Sequence, residues 1–282
     1  MRRPNLRGVG LTAHYTAKAW HALGVPEAER FVTMRGRLLF AATAPLRWLG
    51  PRIGLDDPLF LLLSSRHLII EQLLDEQGLL AFLELASGLS PRGAARTRDP
   101  RVTYVEVDLP HVIALKERLL GKERGAGHHL LPGDAIKSST YDAALGLLGG
   151  RGPIAVVAEG LNAYLPRPAL VALLGEAARF LREAGGGVLA MELNPAEAVG
   201  RFGLAGALAV RGIGAVARSP LYLPVRDEAD ARELLESAGF ESVVLHDPAT
   251  HPATAAPRYA ACRGVVLVAE AWIGPVGSRQ AR

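Results

Sequence analysis

The stretch from Phe82 to Asp108 constrains this chain most. Phe82-Leu83-Glu84-Leu85 is an apolar run that ends in Ala86-Ser87-Gly88-Leu89-Ser90-Pro91-Arg92, and a second run from Val102 ends in Glu106 and Asp108, just before Pro110. Small residues that let the backbone turn sharply, followed about twenty residues later by acids, are the order in which an α/β domain builds a nucleotide or nucleoside site. The three-glycine fingerprint is absent, and Gly88 alone stands at its centre. Two core strands of some other α/β protein are the plainer reading of the same residues.

Hydrophobic runs and breakers extend the pattern in both directions. Strands are expected at 82–85, 102–107, 129–131, 154–158 and 188–193, with helices from Pro110 through Leu120 and over 168–183. The run Ile154-Ala155-Val156-Val157-Ala158 is apolar without alternation, as a strand covered on both faces must be. Asp227 to Asp230 open a helix that ends at Gly239, acids suiting its N-terminus. The runs 240–245 and 262–269 have no long helix between them, so they are expected to pair antiparallel. Residues 1–78 read as a helical N-terminal extension and lid, beginning with a loose basic leader over 1–10. They continue with a helix from Thr12 to Leu23, a mixed helical region over 27–49, and the apolar run 59–63 leading through Arg66 and His67 to a helix ending near Gly78. Residues 79–273 form the core, with a Gly/Ala-rich insertion at 195–219 as a cap over a cleft or a surface helix, and 274–282 form a tail.

Composition excludes several classes. A chain of 282 residues with 49% hydrophobic residues can bury one large core, and its net charge of +4 with 6% aromatic residues gives little support to a nucleic-acid groove. The single cysteine, Cys262, rules out a disulfide framework and a cysteine-rich metal site, and its apolar neighbours place it at the start of a buried strand. No run of about eighteen apolar residues occurs, so the expectation is no membrane span and a cytoplasmic protein. No step requires a metal.

Five strands alternating with helices and two closing the sheet resemble the class I S-adenosylmethionine-dependent methyltransferase fold, α/β with a Rossmann-like seven-stranded sheet. Three motifs in order make the resemblance specific: Leu85-Ala86-Ser87-Gly88-Leu89-Ser90-Pro91-Arg92, then Tyr104-Val105-Glu106-Val107-Asp108-Leu109-Pro110 with the Lys116 helix, then Ala158-Glu159-Gly160-Leu161-Asn162-Ala163-Tyr164-Leu165-Pro166. Over roughly residues 12 to 270 the chain resembles the leucine carboxyl methyltransferase family, in the bacterial branch of tetracenomycin-type polyketide O-methyltransferases.

That resemblance implies S-adenosylmethionine as cofactor and a set of site residues. Lys18 and Arg66 match the family's basic positions, Arg66 reaching the cofactor carboxylate and the acceptor end of the cleft. Ala86 and Gly88 match the turn after the first strand, and Glu106 and Asp108 the acids of the second strand, with Asp108 on the ribose. Asp134 with Ala135 faces the adenine, Glu159 is the acid after the fourth strand, and Tyr164 lies on the acceptor side. The family's usual Gly-Ala-Gly-Leu-Asp-Thr-Arg departs here to Ala86 through Arg92, which removes an aspartate at position 90.

In methyl transfer the acceptor atom must approach in line, so positioning and exclusion of water carry much of the catalysis. A carboxylate acceptor is already an anion and needs no strong base, and Lys18, Arg66 and Tyr164 would hold its oxygens. A phenol or hydroxyl must lose a proton, and His14, Tyr15, His21 and His67 are the nearest candidates; His14 and Tyr15 join Lys18 and Tyr164 as candidate substrate contacts. Trp20 and Phe202 are candidate pocket walls. The expected partner is a small molecule, with no nucleic acid, and a homodimer is left open. The competing readings are a non-catalytic S-adenosylmethionine-binding or complex-partner protein of the same fold and a nicotinamide-dependent oxidoreductase.

Overall fold

The computed structural model describes residues 9–44, 48, 57–150, 152–200 and 220–274. The strands are β1 (Ala81–Leu85), β2 (Thr103–Asp108), β3 (His128–Pro132), β4 (Ile154–Ala158), β5 (Gly187–Leu193), β6 (Ser242–His246) and β7 (Leu267–Ile273). They form one sheet in the order β3-β2-β1-β4-β5-β7-β6. The first five are parallel, and β7 runs antiparallel between β5 and β6. The chain starts in the middle, winds to one edge through β2 and β3, then returns to the other side at β4. Between β1 and β4 the direction of winding reverses, and it is at the carboxyl ends of the strands at such a reversal that open α/β sheets form their ligand crevice.

The helices are α1 (Val9–Ala22), α2 (Met34–Ala42), α3 (Pro58–Gln77), α4 (Arg92–Arg96), α5 (Pro110–Leu120), α6 (Ser138–Leu148), α7 (Arg167–Glu183), α8 (Ala196–Gly200) and α9 (Glu228–Ser237). Strand periodicity assigns them to two layers. Leu83, Leu85, Val105, Val107, Val156 and Leu189 face one way and pack with Tyr141 and Ala144 of α6, Leu170 and Leu174 of α7, and Leu235 of α9. Phe82, Tyr104, Ala155, Val157 and Trp272 face the other way, against Ile69, Ile70, Leu73 and Leu74 of α3. Each fully buried leucine or isoleucine here contributes about 1.5–3 kcal/mol. Among the described residues no helix is long and apolar enough to cross a membrane.

Local chemistry moves several expected boundaries. The apolar run 59–63 does not precede a helix but forms its first turn: Pro58 occupies an initial position, and the Asp57 carboxylate accepts the Leu59 and Phe60 N–H groups at 3.1 and 3.2 Å. The single helical region expected over 27–49 is split into a 3₁₀ turn, Ala28–Phe31, and α2, because Val32 is extended and the Thr33 hydroxyl caps α2 by accepting the Gly36 N–H at 3.0 Å. The last strand starts at Leu267 rather than at Cys262. Pro257–Cys262 is a 3₁₀ turn, and Gly264 at φ +67° reverses the chain after it. Cys262 is buried with Leu61 and Tyr259 instead of opening a strand. Most of the expected insertion at 195–219, including Phe202, most of the leader and the tail beyond Gly274 lie outside the described residues.

Candidate active site

The turn after β1 is tied to the end of β2. Ala86 and Gly88 both have left-handed backbone, φ +51° and +52°. Glycine adopts that region freely, whereas an L-alanine there is strained by about 1–2 kcal/mol. Asp108 holds the turn: its Oδ2 accepts the Gly88 N–H at 2.6 Å while its Oδ1 accepts the Leu109 N–H at 2.7 Å. Burial raises the Asp108 pKa, and the two backbone donors offset only part of that rise. The Ser87 N–H bonds the Val107 carbonyl at 3.1 Å, and Ser90 Oγ accepts the Arg92 N–H at 3.3 Å. The serine at position 90 thus serves the start of α4.

Helix α1 lies over this turn. A Cβ added at Gly88 would stand 3.3 Å from Ala13 Cβ. One residue earlier, Thr12 Oγ1 accepts the Tyr164 hydroxyl at 3.2 Å, which joins α1 to the loop after β4. Two turns on, Trp20 stacks on His67 of α3 with ring centroids 4.2 Å apart and planes at 21°. The N-terminal helix therefore touches the loops after β1 and β4 and the helix that precedes β1.

Beneath α1 lies a buried charge network. Arg92, 2% exposed, donates to Glu84 Oε1 at 2.5 Å and to Glu159 Oε2 at 2.7 Å, and it also bonds Glu71. Glu159 receives Arg66 Nε at 3.2 Å and faces His67 Nδ1 at 3.2 Å. Burial alone would raise its pKa, but His67, Arg92 and Arg66 outweigh that and hold the carboxyl well below the ordinary range. Arg66 also approaches Glu192 at 3.8 Å. Glu192 accepts the Gly160 N–H with both oxygens, at 2.9 and 2.8 Å, and the Asn162 amide at 2.9 Å; burial dominates and raises its pKa.

The structure brings Arg66, Glu159, Tyr164, Ala86, Gly88 and Asp108 to the carboxyl ends of β1, β2 and β4. Asp134 and Ala135 follow β3: the Gly133 N–H bonds the Asp108 carbonyl at 2.9 Å, Asp134 Oδ1 accepts the Ile136 N–H at 3.3 Å, and the Ala135 carbonyl accepts the Tyr141 hydroxyl at 2.8 Å. Glu106 is placed differently. It is fully buried between Lys116 and His128 Nε2, the latter at 3.1 Å, under Gly93, where a Cβ would collide with both Glu106 and His128. It pairs with the protein's own cations and is not part of the crevice surface.

Three candidates on α1 are held by local partners. Lys18 Nζ bonds His21 Nδ1 at 2.9 Å, and among the described residues it makes no hydrogen bond to Arg66 or Tyr164. His14 Nδ1 meets Thr33 Oγ1 at 2.8 Å, and burial followed by Arg35 lowers its pKa. The Tyr15 ring packs against Phe40 at 5.5 Å. Sequence reasoning missed Glu71, Glu84, Glu192 and Asn162. The signal was present at Glu84 and Glu192, acids inside otherwise apolar strands, where burial demands a cationic or hydrogen-bonding partner. A separate basin of about 540 Å³, lined by Leu120, Lys122, Arg124, His128 and His129, lies at the other edge of the sheet and contains none of the candidates.

A solved methyltransferase-described protein from Thermobifida fusca superposes with a TM-score of 0.58 at 15% identity, covering 92% of this chain and 93% of that one. The methyltransferase domain of the bacterial CtHen1 C-terminal region superposes at 0.50 with 12% identity, covering 75% of this chain and 99% of that domain. A protein from Nostoc punctiforme described as an O-methyltransferase gives 0.48 at 16% identity over 74% of this chain, which spans 56% of that protein's length. No curated protein sequence matches the chain. The Thermobifida fusca likeness, together with the seven-stranded strand order, establishes the fold, a class I methyltransferase sheet. Residues 63–178, which hold most of α3, the turn after β1, Asp108, Asp134, Glu159 and Tyr164, match the family model of the leucine carboxyl methyltransferases.

Proposed function

We propose that the chain is an S-adenosylmethionine-dependent O-methyltransferase acting on a small molecule, with a carboxylate or a phenol or other hydroxyl as acceptor. The observation that carries this reading is the left-handed turn at Ala86 and Gly88, locked to Asp108 at the point where the sheet changes winding direction. Gly88 also lies so close under α1 that a Cβ there would stand 3.3 Å from Ala13 Cβ, so the turn and its cover are packed without side-chain bulk between them. The family match over the same residues supports the choice of cofactor.

In this reading Ala86, Gly88 and Asp108 hold the nucleoside and methionine portions, Asp134 and Ala135 the base, and Glu159 with Arg66 the amino-acid end. The cofactor, when bound, supplies an activated methyl group. The chain's own work is to hold the acceptor oxygen with Arg66, Tyr164 and Lys18, and to keep water out beneath α1. Tyr164 is suited to donate a hydrogen bond rather than to ionise, since burial raises its pKa.

The test is transfer of a labelled methyl group from S-adenosylmethionine to a panel of hydroxybenzoic and hydroxycinnamic acids. Transfer is expected for at least part of the panel. Lys18→Met should lower kcat by about tenfold or more, the scale of one charge-assisted contact of ~1.5–3 kcal/mol, while leaving S-adenosylhomocysteine affinity unchanged. Equal loss of both would remove Lys18 from the acceptor side.

A further inference from the structure

Resting on the methyl-transfer reading above, we infer that His67 is the proton acceptor of the reaction and that the natural acceptor is therefore a phenol or other hydroxyl rather than a carboxylate. The imidazole is 1% exposed, and its two nitrogens stand in different surroundings. Nδ1 lies 3.2 Å from Glu159 Oε2. A carboxylate only accepts, so this contact places a proton on Nδ1, and in the neutral imidazole the lone pair is then on Nε2. Arg92 Nη2 also approaches Nδ1, at 3.2 Å, but it is committed to Glu159 at the shorter distance of 2.7 Å. Nε2 is buried and has no hydrogen-bond partner among the described residues. An unsatisfied buried nitrogen is costly and calls for an explanation, and of the buried unsatisfied atoms among the described residues this one belongs to the imidazole beside Glu159 and Arg66.

The surroundings suit a base that must gain a charge. Glu159 from the loop after β4 and Glu71 from α3 itself supply negative charge, Arg92 from α4 and Arg66 from α3 positive charge, and α1 contributes the uncharged Trp20 stacked on the ring. The indole and α1 shield the imidazole from water while Glu159 stands ready to stabilise an imidazolium. Because α1 also covers Gly88 and contacts Tyr164, His67 shares its lid with the turn assigned to the cofactor.

The step balances. As the acceptor oxygen bonds to the methyl carbon, the carbon–sulfur bond breaks and its electron pair stays on sulfur. The acceptor O–H bond also breaks: its pair stays on oxygen, and the proton passes to the Nε2 lone pair. The products are a methyl ether, a neutral thioether and an imidazolium beside Glu159. A carboxylate acceptor, already ionised, would leave His67 without this role.

Two measurements test the inference. First, ¹⁵N-histidine NMR of the S-adenosylhomocysteine-bound protein should show His67 protonated on Nδ1 and bare on Nε2 near neutral pH; a proton on Nε2 overturns the proposal, whatever the acceptor. Second, the protein is supplied with S-adenosylmethionine carrying a labelled methyl group and with hydroxybenzoic acids, which offer both groups on one molecule. Alkali-stable label, an ether, is expected, and alkali-labile label, an ester, overturns the proposal. His67→Asn keeps an amide N–H for Glu159 but has no base at Nε2. It should retain S-adenosylhomocysteine binding and lose ~10²–10⁴ in kcat near neutral pH, with the gap closing at alkaline pH where a phenol ionises unaided. A parallel pH profile, or loss of S-adenosylhomocysteine affinity in the variant, marks a merely structural residue and overturns the role. Failure of the wild-type protein to bind S-adenosylhomocysteine would instead overturn the underlying methyl-transfer reading, and this inference with it.

Discussion

Glu84 and Glu106 are direct partners in the register of β1 and β2, two buried carboxylates side by side. Such a pair survives only because each has its own cation: Arg92 for Glu84 and Lys116 for Glu106. Burial raises the Glu84 pKa against the pull of Arg92, whereas at Glu106 the opposing effects of Lys116 and His128 exceed burial and lower it. Lys116→Met keeps the volume of the side chain but strands Glu106. Urea unfolding should show a loss of about 3–5 kcal/mol, the cost of removing one partner from a buried pair; a loss below about 1 kcal/mol, typical of an exposed pair, would show that the pair is solvated. The sequence made the acids at 106 and 108 visible and the resemblance put Asp108 on the ribose, but nothing in it showed that Glu106 is covered. They share a strand face, and what distinguishes them is the cover: α4, through Gly93, closes over Glu106, while Asp108 stands where the chain leaves the sheet.

Among the elements, α1 reaches furthest, lying over the turn after β1 and touching the loop after β4 and α3. The sequence already identified a helix from Thr12 to Leu23, with Trp20 as a candidate pocket wall, but its three landing points are up to 152 residues away in sequence, and nothing local marks Tyr164, Gly88 or His67 as their partners. Trp20→Ala removes the stack on His67 together with a buried aromatic ring, a change worth about 3–5 kcal/mol. If α1 is a lid anchored there, hydrogen exchange in residues 11–22 should rise strongly while β4 and β5 keep their protection. Uniform loss of protection across the sheet would show instead that α1 and the core unfold as one unit. The apolar residues of the last strand run from Val265 onward, yet the chain enters the sheet only at Leu267, after the 3₁₀ turn Pro257–Cys262 and the left-handed Gly264.

Across the whole molecule, the alternation of apolar runs and helices was enough to give seven strands and the antiparallel pairing of the last two. The position of β7 between β5 and β6 was not legible, because it depends on which edge the chain returns to. The charge network spans α3, α4 and the ends of β1, β4 and β5, so its acid response belongs to the fold as a whole. Glu159 lies well below the ordinary carboxylate value of 4.5, and Glu71, where Arg92, His67 and Arg96 overcome burial, is brought down to about 2. Groups depressed in the folded state stabilise it fully above their unfolded pKa and lose that contribution as pH falls through the folded value. The stability advantage of the wild-type protein over Glu159→Gln should therefore shrink steadily as pH falls below about 4.5. An advantage that persists undiminished or grows below that pH would show that Glu159 is not held ionised by its cations in the folded protein.

If the turn at Ala86 and Gly88, clamped by Asp108 under α1, seats S-adenosylmethionine, calorimetric titration with S-adenosylhomocysteine should find one binding site in the wild-type protein and none in Gly88→Val shown by circular dichroism to be folded, since a branched side chain there would be forced into left-handed backbone against Ala13. Undiminished binding by folded Gly88→Val, or none by the wild-type protein, would show that the turn does not hold the cofactor.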